Sequence, residues 1–570
     1  MRMSRRRGRR KEEDYMQQNA TYSDGLIENR IASYLQEHKG DDSNIINDLP
    51  EGAVFHNFTD ARNNLIAWYP FTKQDAVLEI GAGMGALTSY LADRCKSVVA
   101  LEPAEERAKV VALRCQQKEN VKVINQGIED YTAFAQFDYV LLIGVLEYAG
   151  ITVQSDNPWE YMLQLAKRFL KPTGKLLIAI ENQFGLKYWC GAAEDHTGIP
   201  FDSINLYKES TGKTNRYNEK KGVRTFSKKA LEELLKNTGF ENLRFYYPFP
   251  DYKFPMLILS DQDENGALIG DVKFNYPEES TLIANEQELY PEIVQNGCLG
   301  FFANSFFVEA GQTESSDIQT VALKRDYKTE YKLATIIKAN EVIRCALTTD
   351  AVPHLNALIE NTELLIARGV PCVRQEAAKQ GESCAKRITA QRADKIFAQA
   401  IAEKNMSLAF TMIDKLCHYL RKSSEIEYCQ GEAVLKDAFI DLTFRNSFWM
   451  NDDLVFFDQE WKKSNIPFQF VLYRSLQYTL SCRDFAEQCG QIIEKYDLSK
   501  DKLDLFERME REFLESLMDE SKLFWFDKTM FQDRLLYKSK VKACMNNQAA
   551  HIKQLLESER RLKRESDEKD

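Results

Sequence analysis

At 570 residues the chain is too long for a single hydrophobic core, and two or three domains are expected. A net charge of −11 excludes the basic footprint of a general nucleic-acid binder, and an apolar content of 44% is that of a soluble globular protein. No apolar run approaches the roughly 18–20 residues that span a bilayer, so no transmembrane segment is expected. The 12 cysteines include no Cys-x-x-Cys pair. They point to reduced, mostly buried thiols in a cytoplasmic protein rather than to a zinc site or a disulfide framework.

Residues 1–20 are polar and charged and read as a disordered basic tail, because Met1–Lys11 lacks the apolar stretch of a signal peptide. A short helical pattern follows (Leu26, Ile27, Ile31, Leu35). From Asp75 onward strands and helices alternate. The strands are Ala76–Ile80, Ser97–Leu101, Val121–Ile124, Tyr139–Ile143 and Lys175–Ile180. That alternation predicts a parallel sheet with helices on both faces. A helix over Lys229–Asn237 ends near Gly239. Leu243–Tyr247 and Met256–Leu259, joined by Pro248-Phe249-Pro250-Asp251, then predict a terminal antiparallel hairpin. The polar, Gly-containing stretch 261–285 marks a boundary, so the first domain is expected over 21–262. A second domain, 285–545, opens with strands at Gly300–Glu309 and Ile318–Lys324 and continues mainly helical. Residues 546–570 are rich in charge and read as an exposed helix. The alternative there is the start of a coiled coil, which would make the chain a homo-oligomer.

The first candidate site lies where Ala76–Ile80 runs into Gly81-Ala82-Gly83-Met84-Gly85 and a helix begins at Ala86. Glycines there let the backbone turn sharply and approach a ligand. The next strand ends in Leu101-Glu102-Pro103, an acid placed to accept hydrogen bonds from ribose hydroxyls. Through Ala86 the run also reads G-x-G-x-x-A, so a dinucleotide-dependent oxidoreductase scaffold stays open at this point.

Three further features accompany the loop. Glu79 stands two residues before the first glycine. Phe137-Asp138-Tyr139-Val140-Leu141-Leu142 leads into Gly144-Val145-Leu146-Glu147-Tyr148. The domain closes with a hairpin instead of another crossover. This ordered set resembles the class I S-adenosylmethionine-dependent methyltransferases, a Rossmann-like α/β family, over roughly 200 residues. The resemblance implies that Gly81, Gly83 and Gly85 line the methionine moiety, that Glu79 lies near its amino group, and that Glu102 holds the ribose. It also implies that Gly127-Ile128-Glu129, with Ile128 at its centre, borders the adenine. Ligands in such folds sit on loops at the carboxyl ends of the strands. Here those loops carry Glu181-Asn182-Gln183-Phe184-Gly185-Leu186 and Glu194-Asp195-His196-Thr197-Gly198. A sugar-hydroxyl acceptor needs a base, for which His196 is the candidate; a phosphate acceptor needs none.

The second site lies within residues 438–461. Asp441, then Asn446, then a hairpin and Phe457-Asp458 follow the spacing of a kinase catalytic centre. Asp458 precedes Gln459-Glu460-Trp461 rather than Phe-Gly, which resembles the aminoglycoside and small-molecule kinases and implies an α+β kinase-like domain. In that resemblance Asp441 orients the attacking hydroxyl, and Asn446 and Asp458 hold Mg2+ against ATP. Lys324, in Thr320-Val321-Ala322-Leu323-Lys324, grips the phosphates. Glu341 is expected on the following helix as its ion-pair partner, with Glu330 as the alternative, and Gly300 to Phe307 as the phosphate loop. That loop is glycine-poor, and Phe439 stands where a histidine is usual.

The combination resembles the bacterial O-antigen chain-terminating kinase–methyltransferases. That resemblance implies phosphorylation and then methylation of the non-reducing end of a lipid-linked polysaccharide, with a glycan-polymerising glycosyltransferase as partner. It also implies a location in the cytoplasm, peripheral to the inner face of the membrane. The alternative is a sugar-hydroxyl O-methyltransferase whose kinase-like domain only binds.

Overall fold

The computed structural model describes residues 26–132, 136–207, 222–261, 266–276, 282–313, 316–379, 381–429, 431–480, 489–527, 553 and 556–558. The expected basic tail and most of the expected charged helix at 546–570 lie outside the described residues. The chain divides into two compact units, residues 1–316 with 524–570 and residues 317–523.

In the first unit, short runs of Val, Leu and Ile form parallel strands, most of them largely buried, while the edge strand at 121–124 keeps Lys122 exposed. They are β1 (Ala76–Ile80), β2 (Ser97–Leu101), β3 (Val121–Ile124), β4 (Phe137–Ile143) and β5 (Leu170–Glu181). β1 pairs in parallel with β2 on one side and β4 on the other, β3 adds beyond β2, and β5 beyond β4. The order β3-β2-β1-β4-β5 reverses direction of winding between β1 and β4, and a ligand crevice opens at the carboxyl ends of such a pair. Helix α1 (Leu26–Glu37) lies against α2 (Glu105–Arg114) through Ile27, Ile31 and Val110. A buried ion pair, Arg107 Nε to Glu28 Oε1 at 2.7 Å, joins the same two helices.

Beyond β5 the strands are antiparallel. β6 (Asn242–Phe249) and β7 (Leu257–Ser260) form the expected hairpin, with Tyr247 opposite Leu259. The hairpin does not close the sheet. β8 (Ser305–Gly311) inserts antiparallel between β5 and β6, with Ile178 opposite Val308 and Phe245 opposite the same residue on the other side. Every residue of β8 is buried, as befits a central strand. Glu309, the one charge on it, meets Lys175 Nζ at 2.7 Å and the Tyr69 hydroxyl at 2.5 Å. Gly300–Glu309 was expected to open the second domain, with Gly300 to Phe307 as the loop over the phosphates. It is instead the end of a short helix, Leu299–Phe302, followed by a strand of the first sheet. The boundary at 262 therefore moves to about 316. The alternation of the earlier parallel strands gives no warning of an antiparallel partner arriving from beyond a polar segment. The end of the second domain also moves, from 545 to 523, because Phe526 packs edge-on to Phe55 of the first unit at 5.2 Å.

The second unit opens with an antiparallel sheet of β9 (Thr320–Leu323), β10 (Leu333–Ile337), β11 (Glu341–Ala346), β12 (Glu376–Ala377) and β13 (Glu382–Lys386), in the order β12-β13-β11-β10-β9. A 16-residue helix, α3 (Val352–Ala367), follows β11. A helical core then forms around α4 (Ala393–Ala402), α5 (Met406–Ser423) and α6 (Phe468–Gln477). Two small antiparallel sheets face it, β14 (Ile426–Cys429) with β15 (Glu432–Phe439) and β18 (Lys462–Pro467), and the hairpin β16 (Ser447–Met450) with β17 (Asp453–Phe456). Glu341, expected on a helix, begins strand β11. The β-branched pair Val342-Ile343 favours a strand there, and pairing with β10 and β13 overrides the helical reading.

Candidate active site

The loop after β1 is shaped by its glycines. Gly81 has φ +72°, and a Cβ there would stand 2.6 Å from Val145 Cγ2, so the loop after β1 lies directly on the loop after β4. Among the described residues, Gly83, at φ +58°, has no atom within 4 Å of where a Cβ would be, and neither has Gly127. Glu102, at the end of β2, is turned onto this loop. Its Oε2 accepts from the Gly83 N–H at 2.8 Å and its Oε1 from the Ala104 N–H at 3.0 Å. Asn125 Nδ2 donates to the Glu102 carbonyl at 2.9 Å and fixes the end of β2 against the chain leaving β3. Ile128 is buried, 4% exposed. Glu79 is buried beneath the loop and accepts from the Thr88 hydroxyl at 2.6 Å. Burial pushes its carboxyl up from 4.5 to about 7, against the pull of the Thr88 bond, and Glu102 adds to the rise. Open space at two glycines beside two carboxylates fits a ribonucleoside that carries an amino-acid tail.

At the carboxyl ends of β4 and β5 the chain buries a dense set of charges. His196 Nδ1 lies 3.0 Å from Glu194 Oε1. Its Nε2 lies 3.7 Å from both Glu147 Oε1 and Glu181 Oε2. Glu194 is itself fixed by the backbone N–H groups of His196 and Thr197, at 2.8 and 2.7 Å. Lys253 Nζ sits 2.8 Å from Glu181 Oε1 and 2.6 Å from Asp195 Oδ1, and Lys187 Nζ sits 2.7 Å from Asp195 Oδ2. Burial opposes a charge on His196, but Glu181, Glu147 and Glu194 outweigh it and hold the imidazole well above its usual range. Glu147 is raised, chiefly by burial. Glu181 is also penalised by burial, yet Lys253 and His196 bring it below the usual carboxylate range. A protonated His196 has no lone pair to accept a proton from a hydroxyl, so in this ionisation state it is not a base. Glu181 and His196 were legible as strand-end loop residues. Lys253 was not, since it arrives from the turn between β6 and β7.

In the second unit, Asp441 and Asp458 are drawn together by the residues after Asp458. The Trp461 N–H donates to Asp441 Oδ2 at 3.0 Å and Gln459 Nε2 to the Asp441 carbonyl at 3.1 Å. Asn446 Nδ2 donates to the Asp458 carbonyl at 3.5 Å. Burial pushes Asp441 up to about 7, against the pull of Arg474. Lys324 follows β9; burial disfavours its charge, but Glu460 above all holds its ammonium above the usual lysine range, with Asp458 contributing. Glu341 is not its partner. That side chain pairs with Lys338 at 2.9 Å on its own hairpin. The residue that reaches the acids from β11 is Arg344, 2.6 Å from Asp458 Oδ1 and 3.9 Å from Glu460 Oε1. His354 of α3 adds a contact to Glu460 Oε2 at 3.2 Å. Arg344 and His354 were missed in the sequence and Glu460 was given no role there, although a lone Arg within an apolar strand is a signal of its own.

Comparison with known proteins bears on the first unit. Residues 78–178 match the model of a methyltransferase domain. A curated relative, ribosomal RNA small subunit methyltransferase A of Alkaliphilus metalliredigens (strain QYMF), is 24% identical over 169 residues, covering 29% of this chain and 52% of the relative. The chain thus spans about half the length of that relative. Among solved structures, an SAM-dependent methyltransferase from Archaeoglobus fulgidus is 14% identical, with 44% of this chain and 92% of that chain covered and a TM-score of 0.26. A second is the Burkholderia thailandensis 1,6-didemethyltoxoflavin-N1-methyltransferase with bound 1,6-didemethyltoxoflavin and S-adenosylhomocysteine. It is 16% identical, with 44% and 77% covered and a TM-score of 0.24. The chain carries an S-adenosylmethionine-dependent methyltransferase domain of Rossmann-like α/β fold. The dinucleotide oxidoreductase reading left open by the glycine loop is not favoured.

Proposed function

We propose that the first unit methylates a cell-surface polysaccharide at its phosphorylated non-reducing end, and that the second unit is a kinase-like domain that phosphorylates that terminal sugar from Mg-ATP. The observation that carries this reading is the occurrence, on the same chain as a methyltransferase domain, of a buried Asp441 joined through Gln459 and Trp461 to the segment of a half-buried Asp458, whose carbonyl a half-buried Asn446 bonds. The antiparallel sheet, one long helix and helical core of the second unit agree with it. Bound S-adenosylmethionine supplies an electrophilic methyl group. Glu102 would accept hydrogen bonds from its ribose, Glu79 would face its ammonium group, and Ile128 would lie against its adenine. A phosphate oxygen is anionic near neutral pH and attacks without a base, so a cationic His196 is no obstacle. In the second unit Asp441, with its carboxyl near 7, is suited to take the proton of a sugar hydroxyl. Asn446 and Asp458 would hold Mg2+, and Lys324 with Arg344 would face phosphate. Ribosomal RNA, the acceptor named for the curated relative, is disfavoured by the net charge of −11. A lipid-linked glycan places the enzyme at the inner face of the membrane, beside the glycosyltransferase whose product it caps.

One observation favours a second reading. Arg344 already neutralises Asp458 at 2.6 Å, as it would in a degenerate kinase-like domain that binds carbohydrate while the first unit methylates a sugar hydroxyl. Calorimetric titration with S-adenosylmethionine, NAD and Mg-ATP separates the readings. Binding of both S-adenosylmethionine and ATP is expected, the first lost in Glu102→Ala and the second in Asp458→Ala. Failure of ATP to bind the wild type sinks the kinase and leaves the second reading. Binding of NAD in place of S-adenosylmethionine sinks both.

A further inference from the structure

The geometry points to a divalent-cation site built from Glu147, Glu181 and His196 at the carboxyl ends of β4 and β5, on the acceptor side of the methyltransferase domain. One ligand atom from each of the three lies within 4.8 Å of the others. His196 Nε2 is 3.7 Å from each carboxylate oxygen that faces it. With metal–ligand bonds of about 2.1 Å, two atoms so spaced subtend an angle of about 120° at a central ion, which four- and five-coordinate ions accept.

Three independent observations support an ion there rather than a mere cluster of acids. First, Glu147 is 1% exposed and its Oε2 has no hydrogen-bond partner among the described residues; the Glu181 Oε2 that faces His196 has none either. Buried carboxylate oxygens left in that state cost free energy that a cation would recover. Second, the far side of the imidazole is already set. Nδ1 lies 3.0 Å from Glu194, and Glu194 is pinned by two backbone N–H groups. A histidine that gives one ring nitrogen to a carboxylate presents the other to metal in many metal sites. Third, four carboxylates (Glu147, Glu181, Glu194, Asp195) face two ammonium groups (Lys187, Lys253) and the His196 imidazolium; a divalent ion that displaces the His196 Nε2 proton frees that nitrogen as a ligand and brings the set to neutrality. An imidazole with two carboxylates suits Mn2+, Fe2+ or Zn2+ better than Mg2+.

Three protein ligands leave positions for an oxygen of the acceptor, either a hydroxyl or a phosphate. That part rests on the methyltransferase reading; the ion itself does not. Gly81 packs against Val145, two residues before Glu147, so the ion would stand on the loop that backs the cofactor loop.

The test uses full-length protein stripped with chelator and titrated with Mn2+. One Mn2+ is expected to bind in a manner abolished, or weakened at least tenfold, by Glu147→Gln and by Glu181→Gln, and retained in Asp458→Asn, which reports on the second unit. S-adenosylmethionine binding, measured in the same samples, verifies that the variants are folded. The wild type alone supplies a second readout. The electron spin-echo spectrum of its bound Mn2+ should carry the modulation of one imidazole nitrogen. Mn2+ binding unchanged in both glutamate variants, or a spectrum without nitrogen coupling, overturns the proposal. Loss of S-adenosylmethionine binding in the wild type would instead sink the methyltransferase reading and leave the Mn2+ result to stand by itself.

Discussion

Two carboxyls beneath the glycine loop are held in different ways. Glu102 is already oriented by two N–H donors, so its replacement removes charge-assisted hydrogen bonds worth about 1.5–3 kcal/mol. Glu102→Ala should weaken S-adenosylmethionine binding at least tenfold by calorimetry. Glu79 is held protonated by burial up to about pH 7. In the folded chain it binds a proton that the unfolded chain has lost above 4.5, so its effect is to weaken folding as pH rises from 4.5 to 7. A cationic amino group beside it favours the ionised form. Cofactor affinity should therefore fall as pH drops from about 7.5 to 6, while Glu79→Gln binds weakly with a flat profile over that range. An affinity in the wild type that does not move with pH would remove Glu79 from contact with the ammonium group. Both acids were legible because they sit at fixed offsets from the strand and its glycines. Lys253 and Arg344 were not, since only the packed sheet brings them to the acids they neutralise.

Elements meet at Gly81, where one missing methyl lets the turn after β1 rest on the turn after β4. Gly81→Ala forces a Cβ to within 2.6 Å of Val145 Cγ2 and imposes a left-handed backbone on alanine. The expected cost is about 1–2 kcal/mol for the backbone alone, with more for the clash. Thermal unfolding of Gly81→Ala should shift down by several degrees, and Gly81→Ala with Val145→Ala should recover part of that shift. Gly83→Ala carries the backbone cost without a clash among the described residues, none of which has an atom within 4 Å. It should be nearly as stable as the single-site backbone cost allows and yet bind S-adenosylmethionine about tenfold more weakly, since the methyl enters the space proposed for the cofactor. The parallel strands were readable as short apolar runs because most of them are largely buried and leave little polar alternation to confuse them; the edge strand β3, Val-Lys-Val-Ile, is the one that alternates. β11 was misread because a charged residue within an apolar run suits a helix face as well as a strand edge, and the choice was settled by pairing with β10 and β13.

For the molecule as a whole, the proposed function predicts that phosphorylation precedes methyl transfer. Methyl transfer to an unmodified glycan should require ATP. Asp458→Asn should abolish that coupled reaction and leave methylation of a chemically phosphorylated glycan near the wild-type rate. Equal methylation of unmodified glycan with and without ATP, followed by product mass, would make the hydroxyl the acceptor. The polar stretch 261–285 marked a real interruption in the sheet but not the end of its unit, because β8 returns across it to lie between β5 and β6. That arrangement puts a clock into biosynthesis. A nascent chain emerging from the ribosome completes five parallel strands by residue 181 and then carries β5 with a bare edge, deep in what will be the centre of the sheet, until residue 311 has cleared the exit tunnel. Through those 130 residues of elongation the edge is open to any strand that arrives first, including one from a neighbouring chain on the same message. Slow translation between β7 and β8 would lengthen that exposure and increase the need for chaperones.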